Sequence, residues 1–243
     1  ALDGQDAVLH LASETGTGQS MYEIERYNDV NILGTANLLD FLVNTEHTIK
    51  KLIIASSRSI YGEGKYFCKN DGVVYPNERE DKNMSKERFN PLCNICNNEL
   101  ELKATDESSK IHPSSIYGIT KQHQEQLMLL TGKALHIPTV ALRFQNVYGP
   151  GQSLSNPYTG ILSIFSTRIL NGNNIDIYED GKESRDFIYI DDAVDATILA
   201  LEKREANHQI FNVGSGVATS VFEVANILKK CINILYYIFK YLY

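Results

Sequence analysis

Two short segments carry the residue types that proton chemistry needs. In Tyr117-Gly-Ile-Thr-Lys121 a phenol stands four residues before an ammonium. On a helix that spacing puts both side chains on one face, one turn apart. A tyrosine acts as a general base only if its pKa falls from about 10 toward neutrality, a shift worth about 4 kcal/mol. A cation about 4 Å away, in a surface-like effective dielectric, supplies on the order of 4 kcal/mol. The spacing therefore predicts that Lys121 activates Tyr117, although the same pair alone also fits an ordinary solvated helix face. About sixty residues earlier, Ala55-Ser-Ser-Arg-Ser-Ile-Tyr-Gly62 ends an apolar run in hydroxyls. Hydroxyls at the carboxyl end of a buried strand can hold a substrate oxygen, or simply form a serine-rich turn.

The elements that must position these groups follow from apolar periodicity. Residues 6–12 (DAVLHLA), 51–56 (KLIIAS) and 139–144 (TVALRF) are short apolar runs of the kind buried on both faces of a parallel sheet. Residues 28–43 repeat Val30, Leu33, Leu38, Leu42 and Ile32, Ala36, Leu39, Val43 at helical spacing. Residues 114–135 read as a helix opened by Pro113 and two capping serines. Strand, helix, strand, helix, strand predicts an α/β protein with a parallel sheet covered by helices. Further on, 160–170, 191–203 and the stretch from 220 read as helices, and 175–178, 186–190 and 209–213 as strands. No internal repeat is visible.

Two segments fit this scheme less well. Residues 63–110 form a polar interruption too long for an ordinary loop. It contains Cys93-Asn-Ile-Cys96, which has zinc-knuckle spacing, and Cys68 as a third thiol. A structural zinc site wants four ligands, and Asp71 or His112 are the candidates for the fourth, neither at persuasive spacing. Structural zinc at Cys68, Cys93 and Cys96 thus stands beside free or loosely packed thiols. A catalytic cysteine is not indicated, since no partner histidine is, and His10 reads as packing at a strand end. The almost wholly apolar segment 231–243 reads as a buried terminal helix, or as a cut end exposing apolar surface.

Composition narrows the partners. The chain has 243 residues, 43% hydrophobic and 22% charged, ordinary for a soluble globular protein. A formal net charge of −7 argues against nucleic acid, which needs clustered Lys and Arg, but leaves room for a small anionic ligand. Residues 1–12 have no basic region ahead of their apolar run, and no apolar stretch reaches the ~18 residues of a membrane span. Four unevenly placed cysteines make no disulfide framework, so a reducing cytoplasm is the expected location.

With ASSRSIYG and YGITK in order, the chain resembles the extended short-chain dehydrogenase/reductase family of NAD-dependent sugar-nucleotide epimerases and dehydratases. Val8-Leu-His-Leu-Ala12, Asn31-Ile-Leu-Gly-Thr35, the segment from Leu142 to Pro150 (LRFQNVYGP) and that from Arg185 to Asp192 (RDFIYIDD) resemble further motifs of the family, in the same order. The resemblance implies a Rossmann-like doubly wound fold, NAD as cofactor, a nucleotide-sugar substrate, and a homodimer formed through helices near 28–44 and 114–135. It implies Tyr117 as general base, Lys121 as its electrostatic partner and ribose ligand, and Ser57 as the catalytic hydroxyl. Leu11, Ala12, Asn31, Ser56 and Gln145 would line the cofactor, and Asn146 and Arg185 would hold the substrate. Arginine's planar fork suits a diphosphate, and its neutral alternative is a surface ion pair.

The family's 4,6-dehydratases use an Asp-Glu acid–base pair after the catalytic hydroxyl, where this chain has Arg58-Ser59. The resemblance therefore points to 4-epimerisation. The segment 12–22 (ASETGTGQSMY) and the cysteine-bearing insertion further resemble the dTDP-L-rhamnose branch. No G-x-x-G-x-x-G stands ahead of the first strand; Gly16 and Gly18 follow it without the register of a pyrophosphate loop. A chain lacking the first βαβ unit, and cut short at the other end, is the expectation. On that basis residues 1–150 are a partial NAD-binding domain with an insertion at about 63–110. Residues 151–243 are a partial substrate lobe mixed with the last Rossmann elements. A non-catalytic fragment or scaffold of the same fold, or another sugar-nucleotide reaction such as 4,6-dehydration, is the alternative.

Overall fold

The apolar runs become the strands Ala7–His10, Lys51–Ser57, Thr139–Phe144 and Ile210–Val213, hydrogen-bonded side by side in that order and all parallel. This computed structural model describes residues 2–154, 160–232 and 238–241. Leu52, Ile53 and Ile54 of the second strand and Val140 and Ala141 of the third are fully buried, as strands covered on both faces require. The fold is the expected Rossmann-like α/β arrangement. The chain divides into two units, the first built from residues 1–62, 106–145 and 191–213. That division crosses the contiguous boundary expected at residue 150. Most of the insertion (63–105) groups with 146–190 and 214–243, while 191–213 return to the first unit to supply its last strand.

In the first unit, Leu39 and Leu42 of the helix Gly34–Asn44 and Met128 of the helix Ile116–Ala134 pack on Val8, Leu52, Ile54 and Ala141. Ser115 caps the second helix, its Oγ accepting from the Gly118 N–H at 3.0 Å. Gly132 lets this helix lie close to the sheet: a Cβ there would stand 1.8 Å from Thr139 Oγ1. The helix expected over 28–43 is more irregular. Ile24–Tyr27 is α-helical, Asn28–Leu33 a wide π-helical stretch, and Gly34–Asn44 α-helical again. Asn31 is drawn fully inside on the wide turn, whereas Leu33 and Val43 are exposed despite their apolar register.

One charged cluster lies inside the helix–sheet layer. Arg143 grips Glu125 with two bonds, Nη2 to Oε1 at 2.6 Å and Nε to Oε2 at 3.0 Å. Ser56 Oγ donates to Glu125 Oε2 at 2.5 Å, and Arg143 Nη1 donates to the Tyr61 hydroxyl at 2.6 Å. That hydroxyl donates in turn to Asn212 Oδ1 at 2.9 Å. The pair ties the helix 116–134 to two strands of the sheet.

The second unit holds three small sheets. Asn146–Tyr148 runs parallel, and Ala218–Ser220 antiparallel, to Ser184–Tyr189. The helices Ile161–Leu170 and Val221–Ile232 enclose Phe165, Ile169, Ile175, Ile177, Val224 and Ala225. The terminal segment is not the one continuous helix expected over 231–243: Val221–Ile232 is helical, and Ile238–Tyr241 pairs as a parallel strand with Ile175–Tyr178. Residues 233–237 and 242–243 of that expectation lie outside the described residues. The polar interruption is also structured. Gly72–Val74, Tyr66–Cys68 and Glu101–Leu102 form a three-stranded antiparallel sheet, with a bridge between Leu92 and Glu99. Among the described residues no helix is long and apolar enough to cross a membrane.

Removing one partner of a buried ion pair strands the other charge away from water, at a cost of about 3–5 kcal/mol. Glu125→Gln is therefore expected to lower the unfolding free energy by about 3 kcal/mol in urea titrations. A change below about 1 kcal/mol would show that Arg143 is not held as described.

Candidate active site

Ser57 is the last residue of the strand Lys51–Ser57, at the carboxyl end of the sheet, where open α/β sheets bind ligands. It also caps the 3-10 turn Arg58–Tyr61: its Oγ accepts from the Ser59 N–H at 3.2 Å and from Ser59 Oγ at 2.9 Å. This turn rests on the start of the helix Ile116–Ala134. Contact is that close only because residue 118 is glycine, since a Cβ would meet the Ser59 carbonyl oxygen at 2.7 Å. The Tyr117 phenol thereby stands close enough to Ser57 for that hydroxyl to pull its pKa down. From the other side the Tyr117 N–H donates to Ser20 Oγ at 3.0 Å, and the Tyr27 ring meets the Tyr117 ring edge-on, 6.4 Å between centroids.

Electrostatics here differ from the expectation for Lys121. Burial pushes the Tyr117 phenol up, while the Ser57 hydrogen bond and then the Arg58 guanidinium pull it down, the net shift being upward. Lys121 is not among the groups that act on it. The reason is geometric: Lys121 is almost completely buried and its Nζ donates to Gln124 Oε1 at 2.6 Å, one turn along the helix. Burial drives the Lys121 ammonium down to about 8, against the opposing pull of Glu125. The cation that reaches the phenol in this state is Arg58.

Lys121 belongs to a buried polar set that pattern reading passed over. Gln124 Nε2 donates to Thr35 Oγ1 at 2.9 Å and lies 3.4 Å from the Ala12 carbonyl oxygen. The Thr35 hydroxyl donates its single proton to the Asn31 carbonyl at 2.6 Å, so the His10 Nε2 at 2.7 Å must be a donor toward it. His10 is therefore a neutral Nε2–H imidazole, with its pKa lowered to about 4 by burial and then by Lys121. It packs at a strand end as expected, and it also props the lysine's partner. The signal was present in sequence: Thr120, Lys121, Gln124 and Glu125 are polar residues at the spacing of one helix face, and that face is the buried one.

The other expected site residues fall into separate groups. Leu11 and Ala12 are exposed just beyond the end of the strand Ala7–His10. The Asn31 amide accepts from the Glu14 N–H at 2.7 Å and donates to the Glu14 carbonyl at 3.1 Å and to Thr120 Oγ1 at 2.9 Å. Its side chain thus holds the loop after the first strand against the helix Ile116–Ala134. Ser56 turns its hydroxyl to Glu125 inside the layer, so that hydroxyl is committed to protein. Gln145 is half-buried directly after the third strand, its N–H donating to the Val213 carbonyl at 2.9 Å. Asn146 and Arg185 sit in the second unit on neighbouring strands. Asn146 Nδ2 donates to the Asp186 carbonyl at 3.1 Å; Arg185 pairs with the Glu183 carboxylate and donates to the Ser184 carbonyl at 2.9 Å.

The His10 shift has a measurable sign. Its folded pKa of about 4 lies below the usual 6.5 of a histidine, so between these values the unfolded chain binds the extra proton. Stability is then full above pH ~6.5 and falls as pH drops toward ~4. We expect the wild-type chain to lose about 2 kcal/mol more than His10→Asn between pH 7 and pH 5 in urea titrations. Parallel losses in the two proteins would refute a buried neutral imidazole.

This geometry can be set beside known proteins. Residues 1–86 and 95–214 match the profile of the "NAD dependent epimerase/dehydratase family". The dTDP-L-rhamnose 4-epimerase of Burkholderia thailandensis is 38% identical over 224 residues, covering 92% of this chain and 60% of that protein. The UDP-glucose 4-epimerase of Thermotoga maritima, solved with UDP-glucose, superposes with a TM-score of 0.77 at 28% identity, over 97% of this chain and 64% of that one. A UDP-glucuronic acid 4-epimerase from Bacillus cereus, solved with UDP-glucuronic acid and NAD, gives 0.74 at 26% identity, over 97% and 62%. The chain thus spans about 60% of the length of the curated relative. By its sheet, its Ser57–Tyr117 contact and these matches, the chain belongs to the NAD dependent epimerase/dehydratase family.

Proposed function

We propose that the protein carrying this chain inverts C4 of a nucleotide-activated sugar, of the dTDP-L-rhamnose type, through a transient 4-keto sugar. The observation that carries this reading is Tyr117 in the first turn of its helix beside Ser57 at the carboxyl end of the sheet, with Arg58-Ser59 and no carboxylic acid after it. Dehydration needs an acid to protonate a leaving hydroxyl and a base to take a carbon-bound proton. Arg58 is cationic and Ser59 is bonded to Ser57, so neither fills those roles. Epimerisation asks only for a base, a hydroxyl and a hydride carrier.

The chain's own groups suit NAD. Leu11 and Ala12 present exposed backbone at the sheet's carboxyl end, and Asn31 holds the following loop in place. When bound, NAD would supply the hydride acceptor and donor that inversion at C4 requires. Tyr117 takes the 4-hydroxyl proton and gives it back, and Ser57 holds the same oxygen. Arg58 stabilises the phenolate from outside; Lys121, held by Gln124, is one turn away and can turn toward a ribose hydroxyl. Asn146 and Arg185 are proposed for the nucleotide-sugar side. A homodimer through the helices 34–44 and 116–134 fits the exposure of Phe41 on one and Leu130 on the other.

In the complete gene product, Tyr117→Phe should retain NAD binding while lowering kcat for dTDP-L-rhamnose epimerisation by about 10²–10⁴. Full activity in that variant would overturn the mechanism, and turnover of other nucleotide sugars only would overturn the substrate. Because Arg58 lowers the phenol's pKa, Arg58→Met should move the ascending, acidic limb of the kcat/KM profile, which reports the base, to higher pH. An unmoved limb would assign Arg58 no part in activating Tyr117.

A further inference from the structure

The insertion contains a side-chain cluster that the proposed reaction does not use. Cys68, Asp71, Cys93 and Cys96 come from two separate turns, yet their three Sγ atoms and one carboxylate oxygen all lie within 4.8 Å of one another. We propose that these four residues bind one structural zinc ion.

The geometry is that of a tetrahedral site about to be filled. Zinc–sulfur bonds of about 2.3 Å put ligand atoms about 3.8 Å apart along the tetrahedron's edges. Here Cys68 Sγ and Cys96 Sγ are 3.5 Å apart, and Asp71 Oδ2 is 3.3 Å from Cys68 Sγ and 3.2 Å from Cys93 Sγ. These contacts are hydrogen bonds along edges that a metal would span once the thiols lose their protons. Both ligand pairs have the same spacing. Cys93 and Cys96 flank a knuckle in which the Asn97 N–H bonds back to the Cys93 carbonyl at 2.9 Å. Cys68 and Asp71 flank the hairpin between Tyr66–Cys68 and Gly72–Val74, whose Gly72 takes a φ of 77°. Sequence spacing left Asp71 and His112 both open as the fourth ligand. The fold brings Asp71 to the thiols, while His112 belongs to the first unit.

A second observation is the poverty of the surrounding core. Strands of three, three and two residues are too short to stand alone in water. The buried residues that hold them together are Cys68, Val74 and Cys93, with Tyr66, Cys96 and Leu100 only partly buried around them. Where apolar burial is this small, a metal or a disulfide commonly supplies the missing cohesion. A thiolate-rich donor set with one carboxylate suits zinc, which accepts sulfur and oxygen ligands together; magnesium and calcium take oxygen alone. The family profile passes over residues 87–94, which include Cys93.

The intact protein, purified without chelators, should contain about one zinc per chain by inductively coupled plasma mass spectrometry. Cys93→Ser should lose that zinc, and Cys231→Ser, an exposed thiol elsewhere, should keep it. If Cys93→Ser does not fold, two other proteins carry the test. Cobalt-exchanged wild type should show thiolate-to-cobalt charge transfer and the intense d–d bands of tetrahedral cobalt. Asp71→Cys should keep the metal and move those bands to longer wavelength. Wild-type protein without stoichiometric zinc, zinc retained by Cys93→Ser, or a Cys68–Cys96 disulfide in place of metal would each overturn the proposal.

Discussion

Charge buried against a parallel sheet must be matched, and the helix 116–134 turns two charged groups inward, Lys121 and Glu125. Much of the first unit can be understood as the matching. Arg143 enters an otherwise apolar strand to meet Glu125, and Tyr61, Ser56 and Asn212 satisfy the remaining donors and acceptors. Gln124, His10 and Thr35 form a second polar chain, and the Gln124 amide oxygen accepts the lysine's hydrogen bond. Both chains run from helix to strand, so they fix the rotation of the helix about its axis. That rotation decides where Tyr117 points. A phenol one turn from these anchors is placed with little freedom, which suits a base that must meet one oxygen.

Two glycines let the helix come close enough for this. At Gly132 the obstacle to any side chain is Thr139 on the sheet, and at Gly118 it is the turn that follows Ser57. Neither glycine takes part in chemistry. Each sets a distance, and the Tyr117–Ser57 contact depends on both distances at once.

The parallel sheet was legible because strands such as KLIIAS are apolar on both faces and no other element buries so short a run. The catalytic helix was legible from its capping serines. What escaped were features with no period. The π-helical stretch at Asn28–Leu33 follows from what the Asn31 amide must reach, a tertiary requirement that periodicity does not carry. The tail's apolar run could not separate strand from helix, since edge pairing with Ile175–Tyr178 lies over sixty residues away in sequence. For the proposed site, residue types and order point to Tyr117, Lys121 and Ser57 together. Helical spacing gives Lys121 and Tyr117 a shared face, but the atom that an ammonium meets on that face depends on its neighbours, here Gln124.

Arg58 shows how one position can settle two questions. A carboxylic acid there would place a proton donor beside the sugar and, when ionised, a negative charge beside the phenol. The first favours loss of water; the second raises the phenol's pKa and weakens it as a base. A guanidinium reverses both. It has no proton to give near neutral pH, and its charge favours the phenolate. In the proposed reaction, the guanidinium that withdraws the means of dehydration also favours the ionised form of the base that epimerisation would require.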